Sequence, residues 1–380
     1  MQASATDSEK LLGYVRSLAS APRGAGTEGE RRAASFVESA LSGFGYEVKK
    51  EEFRTLPSFS SPYILIFGLN VLGTLVAFAN TAAGLAFTLV GLVLLLLEEE
   101  LYYPVATNLL RLFSKSKSSN VVGTLWKGDR PLVLMAHYDS TKAAYSFNPK
   151  RVGGLRNTTL ADFASSVVVA VFLLLALMLP LLRYLALVAA IPLWLTLIVL
   201  MHREAVHEYV PGANDNASGV AVLLGVAQRL ASSPMGGVTL YVVATGSEES
   251  GMIGAYDFYG RHRDLVKSST IINIDNPGIG EVCLVTSEGV VLRHSTEPGF
   301  AKAASQAAKD AGVPVRQYRL LPTDATPAMR RGWRAVSVMA FTDKGIGNYH
   351  WYNDTADSVK GENLERAVDI VSRIVRNSLV

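Results

Sequence analysis

Cysteine is nearly missing: Cys283 stands alone in 380 residues. No disulfide can form within the chain, and with no second thiol any zinc site must be built from His, Asp and Glu. Strong net charge is missing too. The formal balance is +3, and no Lys/Arg run is interleaved with aromatics, so a nucleic-acid partner has no support. The opening MQASATDSEK is polar and lacks the apolar core of a signal peptide. The most informative absence is local, because residues 63–97 carry no charged side chain across 35 positions.

Apolar residues fill the space those charges leave. They make up 49% of the chain, which is high for a purely soluble protein and directs attention to membrane segments. A single helix over 35 residues would run about 50 Å against a hydrocarbon core of about 30 Å. Two crossings fit better, with a turn near residues 80–84. A second apolar block covers residues 163–201, where Arg183 is the only charge, beside Pro180 and Tyr184. It reads as another hairpin, with halves of about 17 to 20 residues, near the lower limit for a span. Buried soluble-core helices or re-entrant segments are the alternative, and uninterrupted apolarity of this length disfavours them.

Around these blocks the pattern is that of an α/β protein. SEKLLGYVRSLAS and TEGERRAASFVESALSGFG have helical periodicity, with Thr27 placed to cap the second and Glu30 behind it. YEVKKEEF alternates like a strand; NVVGTLWKG and RPLVLMAHYDS read as paired strands, and VTLYVVATGSEES as a buried one. TIINIDNPG and AVSVMAF add further strands, with helices at ASGVAVLLGVAQRLASS, GFAKAASQAAKDAG and from Glu362 onward. Strands alternating with helices predict a three-layer domain around a mostly parallel mixed sheet. The expected organisation is a peptidase-like domain in three parts, residues 1–60, 101–160 and 203–380, with transmembrane hairpins at 61–100 and 161–202. An even number of crossings returns the chain to the side it left, so one sheet can assemble on one face of the bilayer. Eleven Lys and Arg residues from Lys49 to Arg203 flank the hairpins on the domain side, against Arg183 at a tip. The positive-inside rule then favours a multi-pass protein with its domain on the cytoplasmic face.

Five short motifs place carboxylates or imidazoles at strand ends or in the loops that follow: AHYDS (His137, Asp139), GANDNASG (Asp215), GSEESG (Glu248, Glu249), NIDNPG (Asp275) and NYHWYNDTAD (His350). In α/β sheets, sites form beyond the carboxyl ends of strands. So many acids converging require a cation, and two zinc ions sharing a bridging carboxylate use two His and three acids. His137, Asp215, Glu249, Asp275 and His350 meet that count. Glu248 is then left free as a general base, and Asp139 is placed to accept the second N–H of His137. Tyr318, Tyr349, Trp351 and Tyr352 are candidates to line a pocket or stabilise an oxyanion, against the commoner role of core aromatics. Asp324 is a candidate support for the site, and the glycines of KGIGNYH are expected to turn the chain towards His350.

In this order, the motifs resemble those of the zinc peptidases of metallopeptidase family 28, co-catalytic aminopeptidases and related carboxypeptidases. The similarity extends to RGAGTEGERRAASFVESALSGFGYEV and to TDATPAMRRGWRAVSVMAF. It implies His137 and Glu249 as terminal ligands, Asp275 and His350 as the others, Asp215 as the bridge, Glu248 as the base and Asp139 as the partner of His137. It also implies two Zn²⁺ per chain and a peptide substrate. One departure stands out: 78 positions separate His137 from Asp215, and the second apolar block lies in that gap. Membrane segments are thus expected as insertions into the peptidase fold, with the active-site mouth towards the bilayer and hydrophobic peptides as substrates. Two other functions are open, a glutaminyl-cyclase-like acyltransferase with one zinc and a non-catalytic membrane receptor on the same scaffold. The sequence does not read out the oligomeric state.

Overall fold

The computed structural model describes residues 5–377 apart from Pro234; the first four residues of the polar opening lie outside that range. Nine strands form one sheet: β1 (Glu47–Arg54), β2 (Lys117–Leu125), β3 (Arg130–His137), β4 (Val238–Thr245), β5 (Thr270–Ile274), β6 (Glu281–Glu288), β7 (His294–Ser295), β8 (Val315–Tyr318) and β9 (Arg334–Phe341). Their order is β1-β2-β4-β3-β5-β9-β6-β7, with β8 beside β6. Strand alternation makes the layers. Along β3, Leu132, Leu134 and Ala136 enter one hydrophobic core while Val133 and Met135 enter the other. The first core holds the helices Ala5–Leu18, Glu28–Gly43, Gly219–Ala231, Pro298–Asp310 and Gly361–Asn377; the second holds Ile253–Arg261 and Arg263–Ser268.

Two expectations need correction. β2 and β3 do not pair with each other, because β4, more than 100 residues later, lies between them, antiparallel to β2 and parallel to β3. The sheet is also less parallel than expected. β4-β3-β5-β9 and β6-β8 are parallel, while β1-β2, β2-β4, β6-β7 and β6-β9 are antiparallel. The parallel centre is the part buried on both faces, as its near-continuous apolar runs require. Thr27 caps the second helix by accepting the Glu30 N–H. The Glu30 carboxylate does not close a capping box; it accepts from the Gly26 N–H at 2.7 Å and the Ser118 hydroxyl at 2.6 Å.

The apolar blocks fold as antiparallel helix pairs. The first comprises Ser60–Val76 and Thr81–Leu95, the latter continued by a π-turn to Glu100. Its turn falls at residues 77–80, slightly before the expected position, because Asn80 caps the second helix through the Ala83 N–H. The second pair comprises Leu155–Ala176 and a bent arm, Leu182–Ala189 plus Ile191–Val206, with a 40° bend. Thr81–Glu100 and Val152–Ala176 are each long and apolar enough to cross a membrane, and the bent arm would make a third span. Close approach in the first hairpin depends on small residues: a Cβ on Gly84 would lie 2.5 Å from the Gly73 carbonyl oxygen. Arg183 ties the tips together, donating to Phe78 O at 3.2 Å from Nη1 while its guanidinium lies over the Phe78 ring. Arg203 is not a loop charge. It is buried, and it donates to Ser58, Ser60, Thr141 and Glu204 where both hairpins meet the domain.

Candidate metal centre

The parallel strands β3, β4 and β5 all end on one edge, and the loops leaving them bring the motifs together. His137 is the last residue of β3, Glu248 and Glu249 follow β4, and Asp275 follows β5. Asp215 enters from the turn before helix Gly219–Ala231, where the Asp215–Asn216 peptide is cis, and His350 from the loop after β9. Gly345, at φ +102°, turns the chain ahead of His350. Ser247, Asn276, Asn348 and His350 also have positive φ. Left-handed backbone in so many non-glycine residues is costly and clusters where side chains must be aimed.

His137, Asp215, Glu249, Asp275 and His350 are all buried. They form two groups that share Asp215. His137 Nε2 lies 3.2 Å from Asp215 Oδ1 and 3.7 Å from Asp275 Oδ1. His350 Nε2 lies 2.9 Å from Asp215 Oδ2 and 3.3 Å from Glu249 Oε1. Tetrahedral zinc with bonds of roughly 2.0–2.1 Å sets its ligand atoms roughly 3.3 Å apart, which is the spacing seen here. Asp215 Oδ2 and Glu249 Oε1 are buried without a hydrogen-bond partner, although the imidazole nitrogen is close. The ligand atoms lie close together without satisfying one another's hydrogen-bonding capacity, an arrangement suited to a bound cation. Glu248 stands next to this pair, its Oε2 4.0 Å from His137 Nε2.

Electrostatics agree with that geometry. Burial, opposed by His137 and reinforced by Asp324, Glu249 and Asp275, pushes Glu248 well above the carboxylate range. Burial also raises Glu249. Asp215 goes the other way: burial would raise it, but His137 and His350 together hold it low. Burial works against charging His350, yet Glu249 and Asp215 bring it to about 9. Three buried carboxylates, with Glu248 beside them, share two imidazoles, too little positive charge without a cation.

Asp139 lies beside His137 and has a further part. Its Oδ1 is 3.5 Å from His137 Nδ1, which has no hydrogen-bond partner. Both Asp139 oxygens accept backbone N–H bonds, from Glu248 at 3.0 Å and Glu249 at 3.1 Å, and so hold the turn that carries those acids. Asp324 is buried, and its Oδ2 accepts from the Thr245 hydroxyl at 2.5 Å, at the end of β4. Tyr349 stacks on His350 at 3.8 Å and Phe147 meets the same ring edge-on at 4.4 Å. The Tyr318 hydroxyl is buried without a partner on the cavity wall. Trp351 and Tyr352 lie elsewhere, packed on His207.

Two supports are not singled out by sequence reasoning. Asp354 is fully buried and accepts the backbone N–H of Asn214 at 2.7 Å and of Asp215 at 3.0 Å. Arg23 donates to the carbonyls of Tyr138 and Gly212, joining the loops that carry His137 and Asp215. Their side chains bond only to main chain, so no partner side chain marks them. The one signal was their place inside RGAGTEGERRAASFVESALSGFGYEV and NYHWYNDTAD. Around the cluster lies a cavity of about 500 Å³ that continues between the apolar helices, past Phe59, Phe67, Leu95 and Leu200.

Comparison with known proteins bears on this geometry. The family model for peptidase family M28 matches residues 195–375. The alkaline phosphatase isozyme conversion protein of Escherichia coli (strain K12) is 39% identical over 72 residues, 18% of this chain and 21% of that protein. Endoplasmic reticulum metallopeptidase 1 of Mus musculus is 26% identical over 171 residues, 44% of this chain and 19% of that protein. The match thus spans about a fifth of the length of these curated relatives. Among solved structures, the aminopeptidase from Aneurinibacillus sp. strain AM-1 superposes with a TM-score of 0.58 at 16% identity, over 97% of this chain and 93% of that one. A glutaminyl cyclase of Porphyromonas gingivalis superposes with a TM-score of 0.57 at 15% identity, over 98% of both chains. At such identities the likeness is one of fold.

Proposed function

We propose that this chain, whose residues 195–375 match the family model for peptidase family M28, is a membrane-embedded, zinc-dependent aminopeptidase acting on short or hydrophobic peptides. The observation that carries this reading is two of the three groups of potential ligands among the described residues, His137–Asp215–Asp275 and Asp215–Glu249–His350, which share one carboxylate; the third, His137–Glu248–Glu249, includes the proposed base. Zinc held there would polarise the scissile carbonyl and acidify a water. Glu248, beside the cluster and facing the cavity, takes the proton of the attacking water and returns it to the leaving amine nitrogen. Tyr318, with its hydroxyl unpartnered, donates to the oxygen that gains charge. Asp139 and Asp354 position the ligands through their backbones.

Membrane embedding is part of the same proposal. Leu174, Met178, Leu181 and Val188 expose between 55 and 90% of their surface on the hairpins, an apolar belt suited to lipid. With Ser60–Val76 as the fourth crossing, both tips lie at the end joined by Arg183, away from the domain, which is read as cytoplasmic. Protease digestion of sealed right-side-out vesicles should therefore spare the domain, and its degradation would reverse the orientation.

A glutaminyl cyclase shares the fold, so metal stoichiometry and chemistry must separate the functions. Two zinc ions per purified chain are expected, where one would favour cyclisation and none a binding scaffold. Glu248→Gln should keep both ions and lower kcat by about 10²- to 10⁴-fold. A variant that turns over at the parent rate removes Glu248 from the mechanism.

A further inference from the structure

The cavity does not end at the metal-ligand cluster. Its wing between the hairpins is walled by Phe67, Leu95, Phe163 and Leu200, yet it carries three carboxylates, Glu98, Glu99 and Asp162. No salt bridge reaches any of them among the described residues. The two arginines on the cavity wall are engaged elsewhere: Arg203 pairs with Glu204, and Arg151 lies over the Tyr145 ring. Tyr63 donates to Glu99, and Thr196 donates to Asp162 at 2.9 Å. Glu98 is only half satisfied. Its Oε1 accepts the Thr107 N–H at 2.7 Å, but Oε2 has no partner although the residue is only 8% exposed. Glu99 and Asp162, from different hairpins, lie within coulombic range of each other. Acids set without counter-ions in an apolar pocket fit a ligand that brings the positive charge itself.

We propose that this wing is a subsite for a cationic group on an apolar stem, the stem lying on the aromatic and leucine walls and the cation meeting Glu98, Glu99 and Asp162. On the peptidase reading, on which this last step rests, the group is the side chain of a lysine or arginine next to the scissile bond. The subsite is built from the inserted hairpins, so it is separate from the metal ligands in both sequence and position.

The test has two arms, each run on the full chain in nonionic detergent with wild type, Glu98→Gln and Asp162→Asn. Both variants keep a carbonyl oxygen for the existing Thr107 and Thr196 bonds. The first arm titrates pentyltrimethylammonium, which has a permanent charge and no lone pair for a metal, against 1-hexanol as the uncharged control. Wild type should bind the ammonium at least tenfold more tightly than the alcohol, and each variant should narrow that ratio to about threefold or less. The second arm compares kcat/KM for lysyl, arginyl, norleucyl and citrullyl 4-nitroanilides. The ratio of basic to neutral substrates should be at least ten in wild type and fall about tenfold in the variants. Equal binding of ammonium and alcohol by wild type overturns the subsite. Charge-selective binding with no cleavage of any anilide leaves the cation site standing and removes the peptidase reading. Cleavage that prefers norleucine in wild type and both variants removes the basic side chain as the occupant.

Discussion

Asp354→Asn isolates a residue outside the proposed ligand set that holds the backbone of Asp215, the proposed bridge. The wild-type carboxylate accepts two backbone N–H bonds, at 2.7 Å from Asn214 and 3.0 Å from Asp215, with no exposed surface. Asparagine keeps one acceptor and turns an NH₂ towards the other N–H. The loss is one charge-assisted bond, about 1.5–3 kcal/mol, which at about 1.4 kcal/mol per decade is roughly a 10- to 100-fold change in an equilibrium. The turn is held elsewhere as well, by Asn216 Nδ2 donating to Ile274 O at 2.9 Å and by Asn214 Nδ2 donating to Gly347 O at 3.0 Å. Asp215 should therefore be displaced and not lost, and the effect should fall on affinity. Titration with chelator-buffered zinc is expected to give a 10- to 100-fold weaker Kd, with most of kcat recovered at saturating zinc. A folded variant whose zinc affinity stays within twofold of the parent would refute the reasoning, because the two N–H bonds would then do nothing for the ligand.

Glu30 gives a pH signature away from the ligands. Burial pushes its carboxyl up to about 8, from 4.5 in the unfolded chain. The folded state then holds a proton that the unfolded state releases, so the group's stabilisation is complete below about pH 4.5 and is lost as pH rises through 8, at no more than about 1.4 kcal/mol per pH unit. Thermal melts of Glu30→Gln should show a flatter pH dependence between pH 5 and 8 than the parent, and parallel curves would dismiss the assignment. Gly84→Leu should break the first hairpin, because its side chain would meet the Gly73 carbonyl and the Ala77 backbone. A loss of at least about 1–3 kcal/mol is expected from overpacking, read as a lower Tm in detergent, and an unchanged Tm would contradict the close helix contact.

How much of this was legible in the sequence depends on what each residue bonds to. The proposed ligand residues could be singled out because they stand at strand ends or in connecting loops, where several buried charges together are out of place without a cation. Asp354 and Arg23 could not, since their partners are main-chain atoms of distant loops. The β2–β3 pairing was misread because adjacency in sequence says nothing of a strand that arrives 100 residues later. Asp162 and Glu98–Glu100 lie just outside the charge-free stretches, so sequence reasoning assigned them no part; the helices run through them and bring them to the cavity.

The order of the chain has a consequence for biosynthesis. Asp215, Glu249, Asp275 and His350 all follow the second hairpin, and only His137 precedes it. On the proposed reading, a nascent polypeptide that has not yet delivered its last apolar helix to the bilayer owns a single imidazole of the proposed ligand set. Hydrolysis would then wait until integration is finished, and a chain cut short midway would be inert.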